Sequence, residues 1–329
     1  MPEFMAFFPF WQVNSYDIMK PIRKAIIPIA GYGTRLFPAT KAIPKALFPV
    51  VDRDGIAKPA IQIIIEEALA AGVEEICLVI QPEQREPIET YFSGDVVDAI
   101  RRKPELATQA DKVAEIRRRL YLAVQESQEG YGHAVYCGKD FVGQEPFLVF
   151  LGDHLYISKT DTPCARQLVD VYEQVGKSVT SIEMCHESQL HISGIVRGAR
   201  VTHQPNLFQL DLTAEKPDVD FARKHLRVEG TPADMYLCNF GIDLLTPLLF
   251  DVLDYNDKHG IRTKGEIQLR DAMGGVMRQE GMYGYLMQGN RYDIGIPQNL
   301  IQTVMAFGLS GPYREEVSQA LASGIKKRS

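Results

Sequence analysis

The feature of this sequence that most restricts its fold is an apolar run, Ala25–Ala30, that ends directly in the glycine-rich loop Gly31–Arg35. Such a run is typical of a buried strand that delivers a loop to one edge of a sheet. The loop glycines would let backbone N–H groups approach phosphate oxygens, and Arg35 together with Lys45 would supply two cations. We therefore predict phosphate binding, although the spacing fits neither the P-loop nor the dinucleotide fingerprint. The alternative is an ordinary strand-to-helix turn.

The size and composition of the chain narrow the class of protein. With 329 residues, 45% of them hydrophobic, the chain can bury a large core, as one α/β domain with an insertion or as two tightly joined lobes. A net charge of −6 argues against a surface for nucleic acid or anionic membrane. The five cysteines lack metal-site spacing and fall mostly in apolar runs, which is typical of reduced core residues. We expect a cytoplasmic protein that binds neither nucleic acid nor membrane.

Strand-type and helix-type patterns alternate along the chain. This alternation predicts an α/β fold with a Rossmann-like, mixed but mostly parallel sheet, helices on both faces and ligands at the carboxyl ends of the strands. The predicted strands are Lys24–Ala30, Glu75–Ile80, Leu120–Gln125, Phe147–Leu151, Ser178–Met184, Gly194–Val201, Leu207–Leu212, Met235–Asp243 and Met282–Gln288. The predicted helices are Lys58–Ala71, Glu83–Phe92, Asp95–Leu120 and Asp271–Gln279.

Two aspartates occupy positions where a metal site could form. Asp153 follows the all-apolar strand Phe147–Leu151, so its carboxylate should stand at the edge of the sheet, where a divalent cation is the commonest partner beside phosphates. Asp293 lies in a glycine-flanked loop near the end of the folded region and could join the same ion. The alternative for Asp153 is an ordinary cap of a following helix.

Two further motifs carry polar groups suited to a base and a sugar. Gln125 ends a strand before Gly130–Ala134, and its amide offers the donor and the acceptor that match a pyrimidine edge. Glu215 could accept hydrogen bonds from sugar hydroxyls while Lys216 binds a phosphate. As neighbours in an extended run, these two side chains should point to opposite faces. The alternatives are a surface glutamine and an exposed charged turn before Pro217.

Taken in order, these motifs closely resemble the sugar-nucleotide pyrophosphorylases, and among them the bacterial UTP–glucose-1-phosphate uridylyltransferases. The resemblance runs from about Lys24 to about Gly308 and is densest over Ala30–Lys45. Shorter matches follow at Gly130–Ala134, Glu215–Pro217 and Glu266–Ala272.

The resemblance implies a nucleotidyltransferase that makes UDP-glucose and pyrophosphate from UTP and glucose 1-phosphate by Mg²⁺-assisted in-line displacement. The implied catalytic residues are Arg35, Lys45 and Lys216; the implied nucleotide-binding residues are Ala30, Gly31, Gly33, Thr34, Gln125 and Gly130; the implied substrate-binding residues are Asp153, Gly194, Glu215 and Lys216; and the implied Mg²⁺ ligands are Asp153 and Asp293. A dTTP-dependent or other sugar-1-phosphate nucleotidyltransferase remains an alternative, as does a non-catalytic nucleotide-sugar-binding regulatory protein.

The resemblance also implies a division of the chain. An N-terminal arm (1–21) precedes a nucleotidyltransferase domain (22–310), whose halves bind nucleotide (22–155) and sugar phosphate (156–296), and a C-terminal tail (311–329) follows. We expect a homo-oligomer. No lysine or arginine is expected to face the sugar around Ser193–Val196 or Leu237–Gly241, with Arg197 on the opposite face, which favours the neutral sugar glucose.

Overall fold

The computed structural model describes residues 20–93 and 95–326. The predicted N-terminal arm therefore lies outside the described residues except for its last two positions. The strands are β1 (Lys24–Pro28), β2 (Pro49–Val51), β3 (Ala57–Pro59), β4 (Glu75–Ile80), β5 (Leu120–Val124), β6 (Phe147–Phe150), β7 (His154–Ser158), β8 (Val179–His186), β9 (Gly194–Arg200), β10 (Leu207–Glu215), β11 (Met235–Leu245), β12 (Met282–Leu286) and β13 (Gly289–Asp293).

Helices connect these strands. They are α1 (Ala60–Ala70), α2 (Arg85–Phe92), α3 (Asp98–Arg101), α4 (Pro104–Arg117), α5 (Tyr131–Tyr136), α6 (Lys139–Val142), α7 (Cys164–Val175), α8 (Val219–His225), α9 (Leu248–Lys258), α10 (Leu269–Glu280), α11 (Pro297–Ser310) and α12 (Arg314–Lys326). Among the described residues, no helix combines the length and the hydropathy that a bilayer crossing requires.

A nine-stranded sheet with the order β5-β4-β1-β6-β11-β8-β12-β10-β9 forms the centre of the molecule. The first four strands are parallel, so their carboxyl ends meet at one edge. The long strand β11 runs antiparallel to β6, β8 and β9 and joins the parallel part to the strand-rich second half. The predicted α/β fold with a mixed sheet is confirmed, and its continuous parallel part lies in the N-terminal half.

Hydrophobic cores cover both faces of this sheet. In β1, Ala25 and Ile27 pack into one core and Ile26 into the other, because successive strand residues point to opposite faces. The first core includes Ile61 of α1, and the second includes Leu249 of α9. The five cysteines are free, and four of them are buried, as predicted for core residues.

One of the predicted elements needs correction. The predicted helix Asp95–Leu120 is wrong, because α3 ends at Arg101 and a separate helix begins at Pro104. Proline disfavours helical backbone in the residue before it and cannot donate the hydrogen bond that would continue a helix. The C-terminal tail contains α12, and Val317 of that helix packs against Gly308 of α11.

Candidate active site

A cleft of about 310 Å³ lies at the carboxyl ends of the parallel strands β1, β5 and β6. This is the edge at which open α/β sheets bind ligands. The residues predicted for nucleotide and metal binding that line it are Ala30, Gly31, Lys45, Gln125, Gly130 and Asp153. Three polar side chains that were not predicted as site residues, those of Gln128, Tyr131 and Glu266, also line the cleft.

The loop after β1 turns sharply once it has passed the cleft. Gly33 adopts left-handed backbone (φ 63°), and its carbonyl accepts a hydrogen bond of 3.2 Å from the Thr40 hydroxyl. A short 3₁₀ turn begins at Thr34, so Gly33 and Thr34 hold the loop and do not line the cleft. Within residues 20–93 and 95–326, a Cβ on Gly31 would meet no heavy atom within 4 Å, which leaves that backbone open to a ligand.

The two predicted metal ligands lie together. Ligand atoms of Asp153, His154 and Asp293 are all within 4.8 Å of one another. A Cβ on the neighbouring Gly295 would stand 2.8 Å from Asp293 Oδ1, 2.9 Å from Asp153 Oδ2 and 3.1 Å from Arg35 Nη2. Glycine at this position therefore keeps open a space bounded by two carboxylates and a guanidinium.

Asp153 is held by a lysine and a histidine. Lys45 Nζ donates to Asp153 Oδ2 at 2.6 Å, and His154 Nδ1 lies 2.9 Å from Asp153 Oδ1. Burial by itself raises the pKa of Asp153, but the hydrogen bonds and charges of His154 and Lys45 hold that pKa well below its ordinary value. The alternative that Asp153 caps a helix is wrong, because strand β7 begins at His154.

Asp293 is fixed by its own loop and the start of α11. Its Oδ1 accepts from the backbone N–H of Gly295 at 2.5 Å, and its Oδ2 accepts from Asn299 Nδ2 at 3.0 Å. The backbone of the next residue, Ile294, donates to the carbonyl of Asp153 at 2.9 Å. Pairing of β13 with β7 thus brings together two aspartates that are far apart in sequence.

Gln125 is buried, with 2% of its surface exposed, so the alternative of a surface glutamine is wrong. Its Nε2 donates to the carbonyl of Gly130 at 3.3 Å and lies 3.1 Å from His133 Nδ1. A Cβ on Gly130 would stand 2.7 Å from the carbonyl oxygen of Ile267, and the backbone there is left-handed (φ 111°). These contacts press the glycine loop against the segment that precedes α10.

The residues predicted for the sugar phosphate lie at the ends of β9 and β10. Glu215, the last residue of β10, pairs with Gly194, the first residue of β9. Lys216 Nζ lies 3.4 Å from Glu215 Oε1. The prediction that these two side chains diverge is wrong, because the strand ends at Glu215 and Lys216 adopts left-handed backbone (φ 47°).

Two polar side chains beside Gly194 were not predicted as site residues. A Cβ on Gly194 would stand 2.5 Å from Asn239 Nδ2 and 3.5 Å from Arg270 Nε. The expectation that no cation approaches here is wrong, because α10 brings Arg270 from outside the segments considered. Arg197 instead donates to Asp211 at 2.8 Å. Arg270 lies within Glu266–Ala272, a segment that matches the family in sequence. That match was the one signal in the sequence that could have identified Arg270 as a site residue.

Comparison with known proteins places this geometry in a family. The family model for nucleotidyl transferases matches residues 24–307. The chain belongs to the nucleotidyl transferase family.

Relatives in this family have closely similar lengths. The chain is 35% identical over 307 residues to UTP–glucose-1-phosphate uridylyltransferase 1 of Staphylococcus saprophyticus, covering 92% of this chain and 98% of the relative. It is 36% identical over 313 residues to a UTP–glucose-1-phosphate uridylyltransferase of Staphylococcus epidermidis, covering 94% and 99%. The resemblance found in the sequence is confirmed.

Solved nucleotidyl transferase structures show the same fold. A UDP-glucose pyrophosphorylase complexed with UDP-glucose superposes with a TM-score of 0.70 at 29% identity, covering 87% of this chain and 98% of the other. The UTP-bound enzyme of Acinetobacter baumannii superposes with a TM-score of 0.72 at 28% identity, covering 91% and 99%.

Proposed function

We propose that this protein transfers the uridylyl group of UTP to glucose 1-phosphate and releases pyrophosphate. The observation that carries the proposal is the convergence of Arg35, Lys45, Asp153 and Asp293 around Gly295, beside a cleft at the carboxyl edge of the sheet. Two cations and two carboxylates at one point suit a triphosphate with its metal ion. The names of the relatives described above specify UTP and glucose 1-phosphate as substrates. The two solved structures described above contain UDP-glucose and UTP, respectively.

The nucleotide occupies the cleft in this proposal. The backbones of Ala30 and Gly31 approach the phosphates, while Arg35 and Lys45 offset their charge. Gln125 and the backbone at Gly130, which both line the cleft, receive the uracil ring. Gly33 and Thr34 act indirectly, because they fix the turn that places Arg35.

The carboxylate pair suits Mg²⁺. Aspartate oxygens are the hard ligands that Mg²⁺ prefers, and Mg²⁺ in nucleotide sites is bound by one or two carboxylates together with substrate phosphates. Asp153 and Asp293 would hold the ion, which would polarise the phosphoryl oxygens and offset developing charge. In the structure, the ammonium group of Lys45 hydrogen-bonds a carboxylate oxygen of Asp153 that would also bind the ion. Nucleotide binding should therefore draw this ammonium group toward the phosphates.

The sugar phosphate occupies the ends of β9 and β10. Glu215 accepts hydrogen bonds from sugar hydroxyls, the backbone of Gly194 contacts the sugar, and Lys216 binds the phosphate. An oxygen of the sugar phosphate attacks the α-phosphorus of UTP, the bond to the bridging oxygen breaks, and pyrophosphate departs. This displacement needs no nucleophile from the protein, so the residues contribute positioning and charge stabilisation.

A pyrophosphate-release assay over a grid of nucleotides and sugars tests the proposal. We expect UTP with glucose 1-phosphate to give the highest kcat/KM, and EDTA to abolish turnover. Lys45→Met should lower kcat/KM by about 100-fold, the scale of losing one key charge stabiliser. The exposed Lys224→Met on α8 is the matched control.

Other outcomes of the same grid point to the alternatives. A preference for dTTP or for another sugar 1-phosphate would replace the assigned substrates while keeping the reaction. Absence of pyrophosphate release with every pair, in a folded protein, would instead support a non-catalytic nucleotide-sugar-binding protein.

A further inference from the structure

The side-chain amide of Gln125 has one orientation that suits its surroundings. Its Nε2 lies 3.3 Å from the carbonyl oxygen of Gly130 and 3.1 Å from His133 Nδ1. A backbone carbonyl can only accept a hydrogen bond, and an amide nitrogen can only donate one. In the reverse orientation, the oxygens of Gln125 and Gly130 would face each other with no proton between them. The carbonyl of Gly130 therefore fixes which end of this amide is the nitrogen.

The orientation of the amide also fixes the role of His133. Because Gln125 Nε2 can only donate, His133 Nδ1 accepts, and the proton of the neutral ring lies on the other ring nitrogen. Gly130 directly precedes α5, His133 lies within its first turn, and the backbone N–H of Ala134 also donates to the Gly130 carbonyl at 3.1 Å. One helical turn thus holds both acceptors of the amide.

The oxygen end of the amide is the end available to a ligand. Gln125 lines the cleft, and its backbone N–H donates to the carbonyl of Ile80 at 2.8 Å, which holds the residue at the strand end. Among the described residues no group donates to Gln125 Oε1, and this oxygen is not one of the partnerless side-chain atoms that are sealed from solvent. The cleft therefore meets a fixed hydrogen-bond acceptor here.

We propose that His133 is a positioning residue for base recognition, and that it holds Gln125 so that the cleft accepts bases with an N–H group at ring position 3. This inference rests on the proposed function of the site. Uracil carries such a group and can donate it to Gln125 Oε1. Cytosine has a bare nitrogen there, which would face the oxygen without a proton. Turning the amide to suit cytosine would break its hydrogen bonds to both Gly130 and His133.

Three nucleotides test the proposal in the pyrophosphate-release assay with glucose 1-phosphate: UTP, 5-methyl-UTP and CTP. The wild-type protein should prefer UTP to CTP by about 1000-fold or more in kcat/KM, because a mismatched base edge leaves polar groups unpaired. In His133→Leu the amide loses one of its two acceptors, so this preference should fall by about tenfold, the scale of one hydrogen bond.

The same variant should show its effect in binding and not in chemistry. The KM for UTP should rise about tenfold with kcat nearly unchanged, because the base lies away from the reacting phosphorus. UTP and 5-methyl-UTP present the same N–H edge, so the ratio of their kcat/KM values should not change.

Two further variants separate positioning from packing. In His133→Asn the side-chain oxygen stands near the place of Nδ1 and supplies an acceptor without the ring, so the preference for UTP over CTP should be retained. His225→Leu makes the same substitution at another half-buried histidine, on α8, and should leave the KM for UTP and the preference unchanged. If His133→Leu does not fold, His133→Ala removes the same acceptor and should show the same losses.

The contrary outcomes are distinct. A His133→Leu variant with the full wild-type preference, or a His133→Asn variant that loses the preference as completely as His133→Leu, would overturn the inference and leave the transferase assignment intact. Calorimetric titration with UTP and CTP repeats the comparison without turnover. The predicted changes in binding, in a folded wild-type protein that releases no pyrophosphate, would support the inference and overturn the proposed reaction. A folded protein that binds no UTP would overturn both.

Discussion

At the scale of single residues, His154 links Asp153, through Arg291, to β8 of the nine-stranded sheet. Arg291 Nη1 lies 3.2 Å from His154 Nε2, and a guanidinium can only donate. His154 Nε2 therefore accepts, and the ring proton lies on Nδ1, which donates to Asp153 Oδ1. Glu183 binds Arg291 Nε at 2.5 Å and completes the chain of contacts. His154 therefore positions Asp153 through a contact with one of its carboxylate oxygens.

We predict that His154→Phe weakens metal binding, because Asp153 loses the partner that fixes one of its oxygens. Removing such an outer partner typically costs ten- to one-hundredfold in metal affinity, so the Mg²⁺ concentration for half-maximal activity should rise about tenfold. Mn²⁺ binding with UTP present, measured by electron paramagnetic resonance, should weaken in parallel. The exposed His191→Phe is the control. Unchanged midpoints in both measurements would show that His154 does not support the ion.

The same scale shows which site residues a sequence can reveal. Gly31, Lys45 and Asp153 lie in or beside short local motifs, and their chemistry could be inferred from the residues around them. Asn239 and Arg270 meet only through strand register and the docking of α10, so no local pattern joins them. The direction of the Lys216 side chain could not be inferred either, because it depends on a left-handed backbone at a strand end.

At the scale of elements, the loop after β1 makes two different uses of glycine. Gly33 needs left-handed backbone, and a Cβ there would stand 2.8 Å from Thr40 Cγ2. Gly31 has neither constraint, since its Cβ position is open and its backbone is not left-handed. No contact with the described residues explains glycine at position 31, whereas close approach of a phosphate to the backbone would.

We therefore predict that Gly31→Ala changes ligand binding and not stability. The melting temperature should match the wild type, while the KM for UTP should rise about tenfold, or ~1.4 kcal/mol. Differential scanning fluorimetry and initial rates provide the two measurements. Gly324 lies in α12, and its Cβ position is open like that of Gly31. The control variant Gly324→Ala should leave the KM for UTP unchanged. An unaltered KM in Gly31→Ala would mean that phosphate does not approach this backbone.

The prediction of elements succeeded where one strand or helix carries its own periodicity. The apolar runs gave β1, β4, β5 and β6 to within about two residues, because each is a nearly continuous apolar run. The interior strands β1, β4 and β6 are apolar because they are buried on both faces, whereas β5 is a partly exposed edge strand. Pairing between strands that are far apart in sequence could not be predicted. An example is the separate two-stranded ribbon of β7 and β13, which brings the two carboxylates together.

At the scale of the whole molecule, the turn between β2 and β3 connects distant parts of the chain. Lys58 is 4% exposed, and its Nζ lies 2.7 Å from a carboxylate oxygen of each of Asp52, Asp54 and Glu66. The turn packs against the C-terminal segment, where a Cβ on Gly55 would stand 2.8 Å from Pro312 Cγ. One buried cation thus holds together three carboxylates from the turn and α1.

This cluster sets a defined dependence of stability on pH. Burial alone would lower the pKa of Lys58, but the hydrogen bonds that its ammonium group donates to Asp52, Asp54 and Glu66 raise it above its ordinary value. The contribution of Lys58 is therefore present below about pH 10 and lost only as the pH rises through the higher folded-state pKa. Although burial favours a higher pKa for Asp54, Lys58 holds it below its ordinary value, and that contribution is lost as the pH falls.

We predict that Lys58→Met lowers the free energy of unfolding by about 2–4 kcal/mol at pH 8, because three crowded carboxylates lose their cation. Protonation relieves the mutual repulsion of the carboxylates in the variant, so the deficit should shrink as the pH falls toward 5. Denaturant unfolding at several pH values measures this, with the exposed Lys224→Met as control. Substrate KM values should not change, since the cluster lies outside the cleft. A deficit independent of pH would assign the loss to packing of the lysine stem rather than to its charge.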